Sequence, residues 1–276
     1  MDLRQVARAP ARPLILLAND DGYQAKGIRT LAVVLRQFAD VIICAPETEQ
    51  STTSHSLSLT RPLRLRSVTE GVFAVDGTPA DCVYVALNGG TKVLSRTPDA
   101  VVSGMNHGLN LGADVFYSGT VAAAREGALR GIPAMAVSAD AAADSVLAAT
   151  ICASLVRAML DAVPVSPAEG GEDKPPFRRL ALAPLLNVNV PAQPTSEVVA
   201  TRLGLRLYED IVEFRTDPRG REYLWIGGGG VHHGALSGSD TEAHDRGAVS
   251  VTPLLLDLTS GEGSVLAERL VGAARP

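Results

Sequence analysis

The sequence predicts an α/β fold with a mostly parallel sheet. Leu14-Ile15-Leu16-Leu17-Ala18 and Val41-Ile42-Ile43-Cys44-Ala45 are continuous apolar runs, the pattern of strands covered on both faces. Between them Ile28, Leu31, Leu35 and Phe38 recur at helical spacing. Strand, helix and strand within about thirty residues make a βαβ unit. Alternating strand and helix signals run on to Val190, and from Thr201 the texture turns to β type.

Element by element, a first strand at Leu14 to Ala18 precedes a helix from Gly27 to Ala39, and a second strand spans Val41 to Ala45 and stops at Pro46. Ser51 to Ser67 alternates weakly through Leu57, Leu59, Leu63 and Leu65, which suggests extended pieces. Val72 to Val75 reads as a strand and Pro79 to Leu87 as the start of a helix. Strands at Ala100 to Ser103 and Pro133 to Ser138 flank an alanine-rich helix at Thr120 to Leu129. Ala141 to Ala162 reads as a long helix with Leu147, Ile151, Leu155 and Met159 on one face. Val163 to Pro176, with four prolines and two glycines, reads as an exposed loop. Leu180 to Val190 returns to strand character. Ile211 to Phe214 and Glu222 to Ile226 are hairpin arms around the turn Asp217-Pro218-Arg219-Gly220, and Val249 to Leu256 is a last strand. Gly227 to Gly230 lacks a following phosphate-loop lysine and reads as flexible backbone.

A chain of 276 residues allows one large domain or a domain with an appendage. It is 46% hydrophobic and 20% charged, ordinary for a soluble protein, but only 4% aromatic, so the core must be aliphatic and alanine-rich. A net charge of −5 argues against a general nucleic-acid binder, which needs a basic footprint. No polybasic patch points to a membrane surface, and no segment is expected to span a bilayer. Cys44, Cys82 and Cys152 are odd in number and widely spaced, so no disulfide framework is expected, and Cys44 reads as a small core hydrophobe. Met1 to Arg12 has no apolar core of signal-peptide type, which leaves the cytoplasm as the expected compartment.

The first strand ends in Asn19-Asp20-Asp21-Gly22. In a doubly wound sheet this is the edge that meets ligands. Adjacent carboxylates repel unless a cation or a proton sits between them, although Asp-Gly is also a common turn dipeptide. Further polar, glycine-rich clusters follow later strands: Glu47 to Ser51 leading to Ser54-His55-Ser56, Gly77-Thr78-Pro79-Ala80-Asp81, Ser103-Gly104-Met105-Asn106-His107 with Asn110, and Ser118-Gly119-Thr120. Each alone suits a turn, and Ser118 suits a helix N-cap. Their convergence on one edge points to chemistry, and the chemistry they suit is phosphate ester hydrolysis. Asp20 and Asp21 would hold a divalent metal with neutral oxygens such as Ser51 and Asn106. The metal would polarise a phosphoryl oxygen and acidify an attacking water. Ser118-Gly119-Thr120 would present N–H groups at a helix N-terminus, a ready anion site, and Asn110 would add a side-chain donor. His55, His107 and a metal-bound water are the candidates for protonating the leaving alcohol.

Taken together, these motifs resemble the SurE family, the stationary-phase survival proteins that act as 5'/3'-nucleotidases. The resemblance runs from about Leu14 to about Leu258. It rests on Asn19-Asp20-Asp21-Gly22 with Lys26-Gly27-Ile28, on Ala45-Pro46 to Ser51, and on Gly77 to Val83. It continues through Ser103 to Asn106 with Asn110, Tyr117 to Ala124, Asn187 to Pro191, Ser239 to Ala243 and Gly247 to Leu254. It implies a Rossmann-like three-layer α/β/α core, residues 13–190, and a β-rich C-terminal part, residues 195–276, that serves assembly into a homodimer or homotetramer. It implies one Mg²⁺ or Mn²⁺ held by Asp20, Asp21, Ser51 and Asn106, and it is the resemblance that selects Ser51 over Ser54. Asp20 and Asp21 are then the catalytic pair. Asn19, Gly77, Thr78, Asn110, Ser118, Gly119 and Thr120 are the expected phosphate and substrate contacts, with nucleoside monophosphates and short polyphosphate as substrates. Gln50 and Thr52 depart from the family's basic residue before the serine and small residue after it, which bears on substrate range. Ala248 departs from the usual tyrosine, away from the metal site.

Two other readings are weaker. A dinucleotide-dependent oxidoreductase would need Gly-x-Gly-x-x-Gly at the first helix, where Asp20 and Asp21 stand instead. A nucleotide-binding or stress-assembly protein would have no need for two ionised carboxylates on one metal.

Overall fold

A computed structural model describes residues 12–163, 183–209, 211–227 and 229–273. β1 (Leu14–Ala18), α1 (Lys26–Leu35), β2 (Asp40–Pro46), β3 (Leu65–Thr69), β4 (Val72–Val75), α2 (Pro79–Asn88), β5 (Ala100–His107), α3 (Gly119–Leu129), β6 (Ala134–Ala139), α4 (Ser145–Ala162) and β7 (Leu185–Val190) alternate through the first part of the chain. Then come β8 (Val198–Ala200), β9 (Leu205–Tyr208), β10 (Val212–Thr216), β11 (Glu222–Ile226), β12 (Val231–Gly234), α5 (Asp240–Asp245), β13 (Val249–Pro253) and α6 (Gly261–Ala273).

Among the described residues the main sheet has nine strands in the order β3-β4-β2-β1-β5-β6-β7-β13-β8. It is parallel except where β3 meets β4 and β13 meets β7. β1 pairs with β2 on one side and β5 on the other. The chain therefore winds outward from β1 and returns to its other flank at β5. A sheet of this kind opens a crevice where that reversal occurs.

Both faces of the sheet are covered, which explains the continuous apolar runs. α1 and α4 pack on one face with Ile15, Leu17, Val102 and Val137. α2 and α3 pack on the other with Leu16, Cys44, Val101 and Ala136. α1 buries Ile28, Leu31 and Leu35, the apolar positions of its helical spacing. Each such side chain contributes about 1.5–3 kcal/mol of burial free energy.

The helix starts have local causes. Thr78 caps α2, with Asp81 returning a hydrogen bond to the cap and Pro79 in the first turn. Ser118 accepts the Val121 N–H and caps α3. The Asp144 carboxylate accepts the N–H groups of Val146 and Leu147, so α4 begins at Ser145 and not at Ala141.

Other differences from the sequence expectation are physical as well. α1 ends at Leu35, and residues 36–39 form a turn. Residues 51–64 form no strand and run as a loop tied to the body by side-chain hydrogen bonds. β8, β9 and β12 are too short for periodicity to reveal, and α5 and α6 break the β texture of the C-terminal part. Of the Val163 to Pro176 loop all but Val163 lies outside the described residues, as do Leu180 to Leu182 and Gly228. The expectation that no segment could span a bilayer needs correction, because α4 is long and apolar enough by length and composition. Its Ala148, Ala149, Cys152, Ala153, Val156 and Met159 are buried in the core, where it packs on α1.

Candidate active site

The reversal of the sheet between β1 and β5 opens a cleft of about 1170 Å³. Its lining brings together Asp20, Asp21, Ser51, Asn106, Asn110 and Ser118 from five separate loops or strand ends.

Asp20 follows β1 directly and is 5% exposed. The N-terminus of α3 meets it: Thr120 donates its N–H to Oδ2 at 3.1 Å and its hydroxyl to Oδ1. Gly119 lets the helix approach this closely, since a Cβ there would lie 2.9 Å from the Asp20 Cβ. A helix N-terminus favours negative charge. Burial nevertheless pushes Asp20 up to about 6, and the charge of Asp21 adds to that against the Thr120 hydrogen bond. Asp21 is also raised, first by burial and then by Glu49, while the His107 N–H that reaches its Oδ2 at 3.3 Å opposes the shift.

Asn106 arrives by a local irregularity. The register between β5 and β6 shifts between Ser103 and Asn106. Gly104 makes the turn possible with φ +132°, and a Cβ there would collide with the Val137 carbonyl. Asn106 donates Nδ2 to the Gly108 carbonyl at 2.9 Å, which fixes the amide and leaves Oδ1 as an acceptor. Ser51 donates its hydroxyl to Glu49 Oε1 at 2.8 Å, leaving the oxygen's lone pairs free. Gln50 ties this loop to β1 by donating its N–H to the Asp20 carbonyl at 2.8 Å.

These groups fit a hard divalent cation. Two neighbouring carboxylates are pushed toward protonation, which is the state a bound cation relieves. The donors around them are oxygens, as such a cation requires. Among the described residues no three His, Cys, Asp or Glu side chains gather as a metal-binding group. A cation in this cleft would therefore draw on neutral oxygens such as those of Asn106 and Ser51.

The other expected contacts divide between the cleft and the surrounding frame. Asn19, Gly77, Thr78, Gly119 and Thr120 are not in the cleft lining. Asn19 is fully buried and closes the Asp-Asp turn by donating Nδ2 to the Gly22 carbonyl at 2.9 Å. Thr78 caps α2 and donates its hydroxyl to the Ser56 carbonyl at 2.7 Å, and Gly77 packs against Asp81. Thr120 is engaged by Asp20, so its N–H is not free for a phosphate. Asn110 is held in a buried amide cluster, with its N–H on Asn189 Oδ1 and its Nδ2 on Ser138 Oγ, both at 2.8 Å. Of the two histidines, His107 lines the cleft and His55 does not: its Nε2 pairs with Glu126 at 2.9 Å.

The sequence reading missed part of the lining. Arg206, Tyr208, Ile211, Val212 and Ile226, all from the C-terminal part, also line the cleft. Arg206 and Tyr208 both bond Asp114, across more than ninety positions of the chain, at 2.7 and 2.5 Å. No local pattern signals a contact so distant in sequence. Glu49 could have been noticed, since it stands two residues before Ser51.

The family model described as Survival protein SurE matches residues 15–210, more than half of the chain, and includes Asp20, Asp21, Ser51, Asn106, Asn110 and Ser118. The chain belongs to the SurE family. Proteins named 5'-nucleotidase SurE are similar along nearly the whole length. The one from Sorangium cellulosum is 61% identical over 251 residues, 91% of this chain and 93% of the relative. The one from Anaeromyxobacter dehalogenans is 48% identical over 250 residues, 89% of this chain and 91% of the relative. The crystal structure of the SurE protein from Aquifex aeolicus superposes with a TM-score of 0.75 at 36% identity, covering 94% of this chain and 99% of that one. The α/β fold with its mostly parallel sheet is thus a SurE fold.

Proposed function

We propose that this chain is a divalent-metal-dependent 5'-nucleotidase, a phosphomonoesterase that hydrolyses nucleoside monophosphates to nucleoside and phosphate. The observation that carries the reading is the pair Asp20 and Asp21 at the reversal of the sheet, both raised by burial, next to the start of α3. Support comes from relatives named 5'-nucleotidase SurE, up to 61% identical. Nucleoside 3'-monophosphates and short polyphosphate are the further substrates that the family resemblance suggests.

Asp20, Asp21, Asn106 and Ser51 are the residues that would hold one Mg²⁺ or Mn²⁺. When bound, such an ion polarises a phosphoryl oxygen and lowers the pKa of a water. The chain's own groups do the rest. Thr120 fixes both oxygens of Asp20, so this carboxylate does not rotate as charge builds. Ser118 accepts from Val121 N–H at 3.1 Å, and its own proton is left for a phosphoryl oxygen. The N-terminus of α3 adds the favourable end of its dipole. Asn110 is held with one amide hydrogen on Ser138, and the second remains for substrate. His107 lines the cleft and, with a metal-bound water, is a candidate to protonate a leaving oxygen. Exposed Tyr117 and Tyr208 offer aromatic faces for a nucleobase beside Ile211 and Ile226.

The C-terminal arm is proposed to join copies of the chain into a homodimer or homotetramer. Its β10–β11 hairpin is exposed along both strands, and a lone hairpin of that size is marginally stable in water. Residues 13–190 are then the catalytic core and 195–276 the assembling part of one domain. Three buried, unpaired cysteines suit the reducing cytoplasm.

The deciding experiment measures phosphate release from a panel of nucleoside monophosphates and short polyphosphates, with and without Mg²⁺ or Mn²⁺. Metal-dependent release from AMP supports the reading. Protein that leaves every monophosphate intact in the presence of both metals refutes it.

A further inference from the structure

The loop that carries Ser51 is strained on both sides of its turn. Thr52 has φ +58° and Ser54 has φ +52°. Neither is glycine, and threonine is branched at Cβ, so the left-handed region is a genuine outlier for it. Such conformations persist only where the surroundings over-determine them, and they gather at functional sites.

The surroundings here are identifiable. Thr53 Oγ1 donates to the Gln50 carbonyl at 3.0 Å. Ser54 donates its N–H to the Tyr117 carbonyl at 3.0 Å and its hydroxyl to the Phe116 carbonyl at 2.6 Å. Ser58 N–H reaches Asp81 Oδ1 at 2.9 Å. One anchor joins two side chains far apart in sequence: His55 Nε2 meets Glu126 Oε2 at 2.9 Å. Glu126 lies on α3, is 3% exposed, and takes no part in the chemistry above. Its Oε1 accepts from Arg130 Nε and Nη2 at 3.1 and 3.0 Å. Arg130 in turn lies over the Tyr84 ring, 4.9 Å from its centroid. Glu126 is thus held rigidly by its own helix, and its other oxygen is aimed at the loop.

We propose that His55 is a positioning residue: through the buried Glu126 it latches the strained 51–56 loop onto α3, and so sets the Ser51 hydroxyl beside Asp20 and Asp21. The inference rests on the metal-dependent reading of the cleft. α3 then organises the site from three places. Thr120 holds Asp20, Ser118 faces the phosphate, and Glu126, two turns further on, holds the loop that brings Ser51. Without the His55 hydrogen bond Glu126 Oε2 would be buried and unpartnered, and the loop would lose its one side-chain tie to the helix.

The test compares wild type, His55→Ala and His55→Gln. A glutamine amide can still donate to Glu126. Mn²⁺ affinity is measured by electron paramagnetic resonance titration, AMP turnover at low and saturating Mn²⁺, and hydrogen exchange at the Ser54 amide. His55→Ala should weaken Mn²⁺ binding by about tenfold or more, as loss of a group that orients a ligand does. Its AMP turnover should recover as Mn²⁺ saturates, and the Ser54 amide should exchange faster. His55→Gln should stay within about twofold of wild type on every reading, well inside the range such losses span. A purely structural role would lower the melting temperature and leave the Mn²⁺ affinity where it was. Unchanged Mn²⁺ affinity in His55→Ala, or a His55→Gln protein as weak as His55→Ala, overturns the proposal. Wild type that neither binds Mn²⁺ nor hydrolyses AMP overturns the nucleotidase reading instead. The latch itself is then judged on the Ser54 amide, and unaltered exchange in His55→Ala refutes it.

Discussion

The wall of the cleft reached from β1, through Asp20, and the wall given by Val212 and Ile226 of the β10–β11 hairpin belong to elements that water treats in opposite ways. All five residues of β1 are buried, and the strand delivers Asp20 to a point that α3 closes over. All five residues of β10 and all five of β11 are exposed. Phe214 is 62% exposed, Trp225 60% and Ile226 83%. An apolar surface of this kind marks an interaction site. One wall is completed by the chain itself, and the other is left open to water. On the proposed reading the chemistry belongs to the first wall, and the second would offer surface to the substrate's base and to a neighbouring copy.

If that division holds, removing the cation should have the largest effect, and it should fall on the self-completed wall. Excess chelator should abolish phosphate release from AMP, and Mg²⁺ or Mn²⁺ should restore it. Cation binding should also raise the melting temperature, since a ligand at a hundred times its Kd adds about 2.7 kcal/mol. Exhaustively stripped protein with full activity would remove the proposed role of the aspartates.

Asp20→Asn comes next. AMP turnover should fall by at least about a thousandfold, the equivalent of several kcal/mol of lost charge stabilisation. The same substitution tests the buried charge directly. Asp20 is raised from 3.8 to about 6, so between those values the folded state binds more protons than the unfolded one. Stability of the cation-free protein should therefore fall as pH rises through that window, by about 3 kcal/mol in all. Asp21 shifts in the same direction and adds to the slope. Urea unfolding in chelator from pH 4 to 7 should show the slope in wild type and a much shallower one in Asp20→Asn. Equal slopes would mean that the Asp20 proton is not its cause.

Ser118→Ala should be milder. Its hydroxyl is one donor of several, but fewer remain than the sequence suggests, because Thr120 N–H is engaged by Asp20. Loss of one aligned donor typically lowers turnover by about 10²–10³, and the low end applies where the helix terminus persists. The lost cap should cost about 1 kcal/mol. Ser118→Thr, which keeps hydroxyl and cap, should restore both AMP turnover and melting temperature. Turnover as low as in Asp20→Asn would give the Ser118 hydroxyl a more direct part in the reaction.

What the sequence made legible follows the same division. Runs such as Leu14 to Ala18 announce strands buried on both faces, and Asp20-Asp21 announces a site, because each signal is local. Thr120 holding Asp20 across a hundred positions is not local, and neither is Asp114 holding Arg206 and Tyr208. Gly77 and Thr78 read as substrate contacts, although Thr78 and Asp81 carry the spacing of a capping box; in the structure Thr78 caps α2 and Gly77 packs against Asp81. The arm left a β texture in the sequence but not its short strands or α6. Val212, Phe214, Leu224 and Ile226 share one face of its hairpin and Glu213, Arg215, Tyr223 and Trp225 the other, and both faces are exposed, so the alternation that marks the arms does not tell which face a neighbour would cover.

The smallest effect on chemistry should come from the exposed wall, and it sharpens the comparison most. Phe214→Ser with Trp225→Ser removes two large apolar groups from the hairpin and none from the aspartate side. Aromatic residues of this kind carry a large share of interface energy. Wild type should run as a dimer or larger in light scattering, and the double variant should shift toward the monomer. AMP turnover per chain should remain within about threefold, because neither side chain is in the cleft lining and the aspartate wall is complete without a neighbour. KM should be the parameter that moves, through Val212 and Ile226, the arm residues that do line it. A monomeric variant that loses kcat as Asp20→Asn does would show that the neighbour completes the catalytic wall as well, and the separation of the two walls would not stand.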